Sequence, residues 1–282
     1  MAQIADFSVA HVFSSKSTGS VGLASNTKHI IDQGRQFDLN TKHKTGSAHI
    51  GEVESLGINY GQVGNNLPPP ERALDLLHAL WLTKARIYDT NPQILAAFAN
   101  SNVELIVTVE NEMISTLMDP NQALQWVMTR IKPYVPATKI TGITVGNELF
   151  TGSDTTLISY LVPAMVIIHA ALVRFGLDRF IHVLTPSSLA VLQESYPPST
   201  GSFRPELSRF LAATKAPFWI NAYPYFAYQS NPDNFPLEYV LFDPNPGVLD
   251  PYTKLHYDNM LYAQVDAVIF AMVKRAGPRE GI

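Results

Sequence analysis

The sequence contains no cysteine. That excludes a disulfide framework, a thiolate nucleophile and any zinc site built on sulfur. It also lacks an excess of one charge: 20 Lys and Arg stand against 24 Asp and Glu, for a net charge of −4. The basic residues are scattered rather than clustered, so no nucleic-acid partner is expected. No apolar run approaches the ~18 residues that a membrane-spanning helix needs, so no transmembrane segment is expected either. There is no Asn-x-Ser/Thr sequon and no glycine-rich phosphate loop. His78, His169, His182 and His256 stand singly, without ligand spacing. No metal and no cofactor is therefore predicted.

What the sequence does have is apolar substance: 46% of its 282 residues are hydrophobic, enough for one large core. Residues 1–54 differ from the rest. They are rich in Ser, Lys, His, Gly and Asn, show no sustained helical or strand period, and read as a disordered or loosely attached segment. The stretch from Phe7 to Phe13 is interrupted by Ser8 and His11, so no signal-peptide core is visible there.

Residues 55–282 read as one domain. Strand-like runs at 56–61, 85–89, 103–109, 140–148, 182–186 and 218–223 alternate with helical patterns. The helices are expected to start at Pro68–Pro70 and to cover 92–100, 121–131, 157–175, 205–213 and 258–275. The last shows an apolar face of Leu261, Val265, Val268, Ile269 and Met272. Such alternation predicts an α/β fold of the (β/α)8 TIM-barrel type, which needs eight strands. Only six strand runs are found, so the expectation is a barrel truncated after the sixth βα unit. The gap would lie between the first and sixth strands, with residues 1–54 outside; the alternative is that residues of that segment substitute for the missing strands.

The octet Ile143-Thr144-Val145-Gly146-Asn147-Glu148-Leu149-Phe150 organises the candidate site. It opens as a strand buried on both faces and closes on glycine, an amide and a carboxylate. In a parallel barrel the strand ends carry the chemistry, and a carboxylate shielded there suits general-acid duty. A solvated loop charge or half of an ion pair would leave the same trace. Other polar residues at predicted strand ends are Tyr60, Arg86, Tyr88, Asp89, Glu110, Glu112, Asn221, Tyr223 and Tyr225. Carboxylates, amides and phenols converging on one face suit a carbohydrate, whose faces stack on rings and whose hydroxyls need partners. For Glu110 and Glu112 three readings stay open: a loop charge pair, a rim contact to substrate, or a second catalytic carboxylate.

Several motifs occur in order at sensible spacing. They are Gly57-Ile58-Asn59-Tyr60-Gly61, Gly64-Asn65-Asn66-Leu67-Pro68, Arg86-Ile87-Tyr88-Asp89, Val145-Gly146-Asn147-Glu148 and Asn221-Ala222-Tyr223-Pro224-Tyr225-Phe226. Together they resemble the plant endo-1,3-β-glucanases of glycoside hydrolase family 17. The run from Tyr257 to Val268 is similar to the helix preceding that family's nucleophile strand.

The resemblance implies retaining hydrolysis of internal β-1,3-glucosidic bonds, with Glu148 as general acid/base and Asn147 bonding the sugar 2-hydroxyl. It places Tyr60, Asn221 and Tyr223 along the cleft, with Tyr225 and Phe226 as further subsite contacts. It also implies a monomer acting on β-1,3-glucan outside the cell or at the cell wall, in a defence setting. The family's nucleophile lies in a Glu-(Thr/Ser)-Gly-Trp-Pro motif that these 282 residues do not contain; Glu280 has other neighbours. Activity of this chain is accordingly in question. The alternative expectation is a non-catalytic β-1,3-glucan-binding protein.

Overall fold

Apolar, β-branched runs become parallel strands because both of their faces are covered. The computed structural model describes residues 10–13, 27–32, 35–39, 57–203 and 218–276. In chain order, β1 (Ala10–Phe13) precedes a hairpin of β2 (Thr27–Asp32) and β3 (Arg35–Leu39). Then come β4 (Gly57–Tyr60), β5 (Lys84–Ile87), β6 (Glu104–Val109), β7 (Ile140–Val145) and β8 (His182–Leu184). These five pair in sequence order, all parallel, in one sheet.

After a break at Thr185 the chain resumes as β9 (Pro186–Ser188), followed by a small ribbon of β10 (Leu192–Glu194) and β11 (Ser202–Phe203). Pro186 has no N–H to give a ladder, which suits it to the first position of a strand. β12 (Phe218–Asn221) then pairs in parallel with β9. All six expected parallel strands are present, and the fold is α/β of the TIM-barrel type.

Four helices alternate with the first strands: α1 (Pro70–Ala79), α2 (Pro92–Ala97), α3 (Pro120–Arg130) and α4 (Thr155–Arg174). The first three open on proline, whose missing N–H costs nothing in a first turn. Asn91, Asp119 and Asp154 cap α2, α3 and α4 by accepting from the N–H of Gln93, Asn121 and Leu157, at 2.9, 2.8 and 2.9 Å. Each cap stabilises its helix by about 1 kcal/mol.

By length and composition α4 could cross a membrane, with a mean hydropathy of 2.1. This corrects the expectation that no apolar stretch is long enough. In the fold its Leu161, Ala164, Met165, Ile168, Ala171 and Leu172 are buried in the barrel protein, while Pro163 is exposed on the far side. A last helix, Met260–Ala276, buries Ala267 and Val268 in the same core.

The core lies around β5 to β7, where Ile87, Leu105, Val107, Val109, Ile143 and Val145 are fully buried. Three buried threonine hydroxyls are paired, while among the described residues that of Ser187 has no partner. Thr144 donates to Thr108 Oγ1 at 2.7 Å, Thr108 to the Ile87 carbonyl at 2.7 Å, and Thr185 to the Val145 carbonyl at 2.9 Å. Leaving one unpaired would cost about 1–3 kcal/mol.

One expectation is corrected at the sheet edge. β1 does not stand outside the sheet but pairs antiparallel with β12, Ala10 opposite Asn221 and Phe13 opposite Phe218. A free strand edge is a liability, and four residues of the amino-terminal segment cover this one. The remainder of 1–54 other than β2 and β3, the expected helix at 205–213, and Glu280 lie outside the described residues.

Candidate active site

β7 ends at Val145, and the chain leaves it through an abrupt turn. Gly146 has φ of +65° and Glu148 φ of +55°, both in the left-handed region. A Cβ on Gly146 would lie 2.7 Å from Leu149 Cδ1 and 2.9 Å from Asn111 Oδ1, so only glycine fits. At Glu148 the left-handed conformation costs about 1–2 kcal/mol, strain of the kind that gathers at functional sites. Neighbouring groups hold the turn. The Glu148 N–H donates to the Pro186 carbonyl at 3.0 Å. The Asn147 N–H donates to Asn111 Oδ1 at 2.8 Å, and Asn111 Nδ2 donates to the Asn147 carbonyl at 3.3 Å.

Three strands then meet through side chains. Arg86 from β5 donates through Nη2 to Asn147 Oδ1 at 2.8 Å. Asn221, the last residue of β12, donates through Nδ2 to Glu148 Oε1 at 2.6 Å and to Asn147 Oδ1 at 3.2 Å. Asn147 and Glu148 are half-buried, Asn221 is buried, and all lie at the carboxyl ends of parallel strands. The expected convergence of Glu148, Asn147 and Asn221 is present.

Arg86 is only 2% exposed. Burial pushes its guanidinium pKa down, opposed by Tyr88, Tyr223 and Glu148 nearby. Its Cζ lies 4.6 Å from the centre of the Tyr88 ring and 5.8 Å from that of Trp219. Among the described residues its Nε and Nη1 have no acceptor.

The aromatic candidates form a separate group on the rim. Tyr223 lies 5.4 Å from Phe226 between ring centres, and Tyr225 lies 6.2 Å from Phe226 and 6.5 Å from Tyr228. Tyr225 and Phe226 are more than half exposed at 55% and 58%, as stacking platforms would be. Through the electrostatic contact of Tyr223 with Arg86 this group adjoins the polar network. Tyr60 is placed differently. Its ring stacks on Phe98 at 6.4 Å, and burial raises its pKa. It is Asn59, the register partner of Arg86, that shares a sheet face with the network.

Glu110 keeps other company. Burial raises its pKa, and its charged neighbours are Asp89, Arg130 and Glu112 rather than Glu148. With Asp89, Asn91, Gln93 and Arg130 it lines an open hollow of about 440 Å³. Beside that hollow Gln62 donates to Asp89 at 2.8 Å and accepts from Asn91 at 2.6 Å. Sequence reasoning passed over both Gln62 and Asn111. Asn111 directly follows the loop-entry residue Glu110 at the end of β6, so the strand-end rule that selected Asn147 applies to it equally. Among the described residues no cluster of His, Asp and Glu suits a metal ion.

Comparison with known proteins gives a consistent picture. Residues 56–280 match the family model described as glycosyl hydrolases family 17. The chain is 48% identical over 225 residues to glucan endo-1,3-beta-glucosidase 11 of Arabidopsis thaliana, covering 77% of this chain and 53% of that one. It is 45% identical to glucan endo-1,3-beta-glucosidase 14 of the same plant, covering 79% and 59%. The chain thus spans little more than half the length of these relatives. Among solved structures, a beta-1,3-glucanase and allergen of Cryptomeria japonica pollen, CJP38, is 38% identical with a TM-score of 0.73. That alignment covers 80% of this chain and 72% of CJP38.

Proposed function

Because the chain belongs to glycosyl hydrolases family 17, we propose that its site serves retaining endo-hydrolysis of β-1,3-glucan, with Glu148 as general acid/base. The observation that carries this reading is the network in which Asn221 and Arg86 hold Glu148 and Asn147 side by side at the strand ends. A glycosidic oxygen leaves only when protonated, and Glu148 is half-buried where a sugar could reach it. Asn147 beside it would bond the neighbouring 2-hydroxyl, as the family resemblance implies. Asn221 fixes the carboxylate, while Tyr223, Tyr225 and Phe226 offer rings on which successive glucose units stack.

A retaining mechanism needs a second carboxylate about 5–5.5 Å from the first. Arg86 supports its location: a buried cation with two nitrogens that have no acceptor among the described residues is a fit neighbour for an anion. Glu110, grouped with Asp89 and Arg130, is not the residue we assign to that place. By family, the substrate polymer would be met at the cell wall or outside the cell by a monomeric protein.

Calorimetric titration with laminarihexaose and cellohexaose, in wild type and Tyr223→Ala, tests the reading. Binding of the β-1,3-linked oligosaccharide in preference to the β-1,4-linked one, weakened in the variant, is expected. Equal or absent binding would overturn the substrate class.

A further inference from the structure

We infer that Asn111 is the positioning residue of this site: its carboxamide holds both backbone polar groups of Asn147 and so fixes the turn that aims Glu148. The inference rests on the glucanase reading for its consequence, but its geometry stands independently.

The ladder between β6 and β7 runs to Val109 opposite Val145, and its last backbone bond joins the Gly146 N–H to the Val109 carbonyl at 2.9 Å. Beyond that point β6 turns away into a short 3-10 helix, Asn111–Met113. Among the described residues no strand pairs with Asn147 on that side. The Asn111 side chain takes over, accepting from the Asn147 N–H at 2.8 Å and donating to its carbonyl at 3.3 Å. A carboxamide has the same donor and acceptor pattern as a peptide group, so it serves as one more rung of the ladder.

That rung sits between two left-handed residues, Gly146 and Glu148. Residues with positive φ persist only where their surroundings over-determine them. Here the surroundings are specific. Asn111 Oδ1, Ile114 and Leu149 crowd the α-carbon of Gly146 so closely that a methyl group would lie within 3.0 Å of all three. Ile114, which caps the carboxyl end of the Asn111–Met113 turn, is fully buried and anchors that turn in the core. Asn111 touches neither the Glu148 carboxylate nor any group placed to meet sugar; it acts through the backbone.

The test compares Asn111→Leu, which keeps the γ-branched shape and loses both bonds, with Asn111→Asp, which keeps only the acceptor. Amide hydrogen exchange is measured residue by residue, together with laminarihexaose affinity. In Asn111→Leu, exchange at Asn147 and Glu148 is expected to rise about 10-fold, the worth of one lost backbone bond. Amides within β7 are expected to stay protected. Affinity should fall in parallel, and Asn111→Asp should lie between wild type and Asn111→Leu in both readouts.

Unchanged exchange at Asn147 would overturn the inference, as would loss of protection throughout β7, which would make Asn111 merely structural. A loosened turn with undiminished affinity would overturn its role in aiming the site. If wild type itself fails to bind laminarihexaose, the glucanase reading falls. The exchange data still decide the clamp.

Discussion

Asn221 Nδ2 and Glu148 Oε1 lie 2.6 Å apart, the shortest link between β12 and the turn after β7. The bond orients a carboxylate through an amide that is itself buried. Replacing Asn221 by Leu keeps its branched shape but takes the donor from Glu148 Oε1 and leaves Asn147 Oδ1 with Arg86 alone. A destabilisation of about 1–3 kcal/mol is expected. Asn221→Asp should be worse, since it sets a second carboxylate against the first. Urea unfolding of the two variants beside wild type checks the order.

Gly146→Ala is expected to be among the costliest single-methyl changes in the molecule. It combines left-handed strain, about 1–2 kcal/mol for a non-glycine residue, with contacts of 2.7 to 3.0 Å to Leu149, Asn111 and Ile114. Thermal unfolding should show the loss, and laminarihexaose binding should weaken with it. Gly176→Ala makes the control, because φ is +68° there but nothing crowds the added methyl.

A polypeptide of these 282 residues is expected to hydrolyse laminarin several orders of magnitude more slowly than a family member with both carboxylates, because one member of a catalytic unit carries most of the rate. Azide tests the reason. With a 2,4-dinitrophenyl β-laminaribioside, azide attacks the anomeric carbon as the phenolate departs, giving the α-glycosyl azide. The expected rescue appears by chromatography of that product and is lost in Arg86→Leu. Fast laminarin turnover without azide, abolished by Glu148→Gln, would show that another carboxylate serves.

Acid should weaken the loop at residues 243–258. Burial opposes the charge of Asp250. Hydrogen bonds from the N–H groups of Thr253, Ser199 and Tyr252 and from the Ser199 hydroxyl nevertheless hold its pKa well below the usual carboxylate range. A depressed folded pKa gives stability that is present above the unfolded value, about 4, and is lost as pH falls toward the folded one. Asp250→Asn should lower the melting temperature at pH 7 and flatten its decline in acid, as calorimetry across pH 2 to 7 would show.

The strands were legible because buried parallel strands are written as runs rich in apolar and β-branched residues, as in Val103 to Val109 and Ile140 to Val145. Glu148 was legible because glycine and an amide punctuate the end of such a run. Strand parity was harder. Tyr60 and Asn59 are adjacent, and a one-residue difference decides which of them faces Arg86. Asn111 escaped because its role is to bond backbone, for which sequence leaves no signature beyond position. β1 escaped because Ala10-His11-Val12-Phe13 has too few residues to show a period. Its strand form comes from the β12 edge it meets.

The bonds that join Arg86, Asn147, Glu148 and Asn221 connect residues 61, 73 and 74 positions apart, far more than any helix contact. Closing such loops is entropically slow, and strands that pair late in sequence dock late in folding. During synthesis Glu148 would emerge well before Asn221, with its carboxylate unheld until β12 joins the sheet. A chain in which β12 has not docked would keep β4 to β8 paired but leave Glu148 without its Asn221 bond.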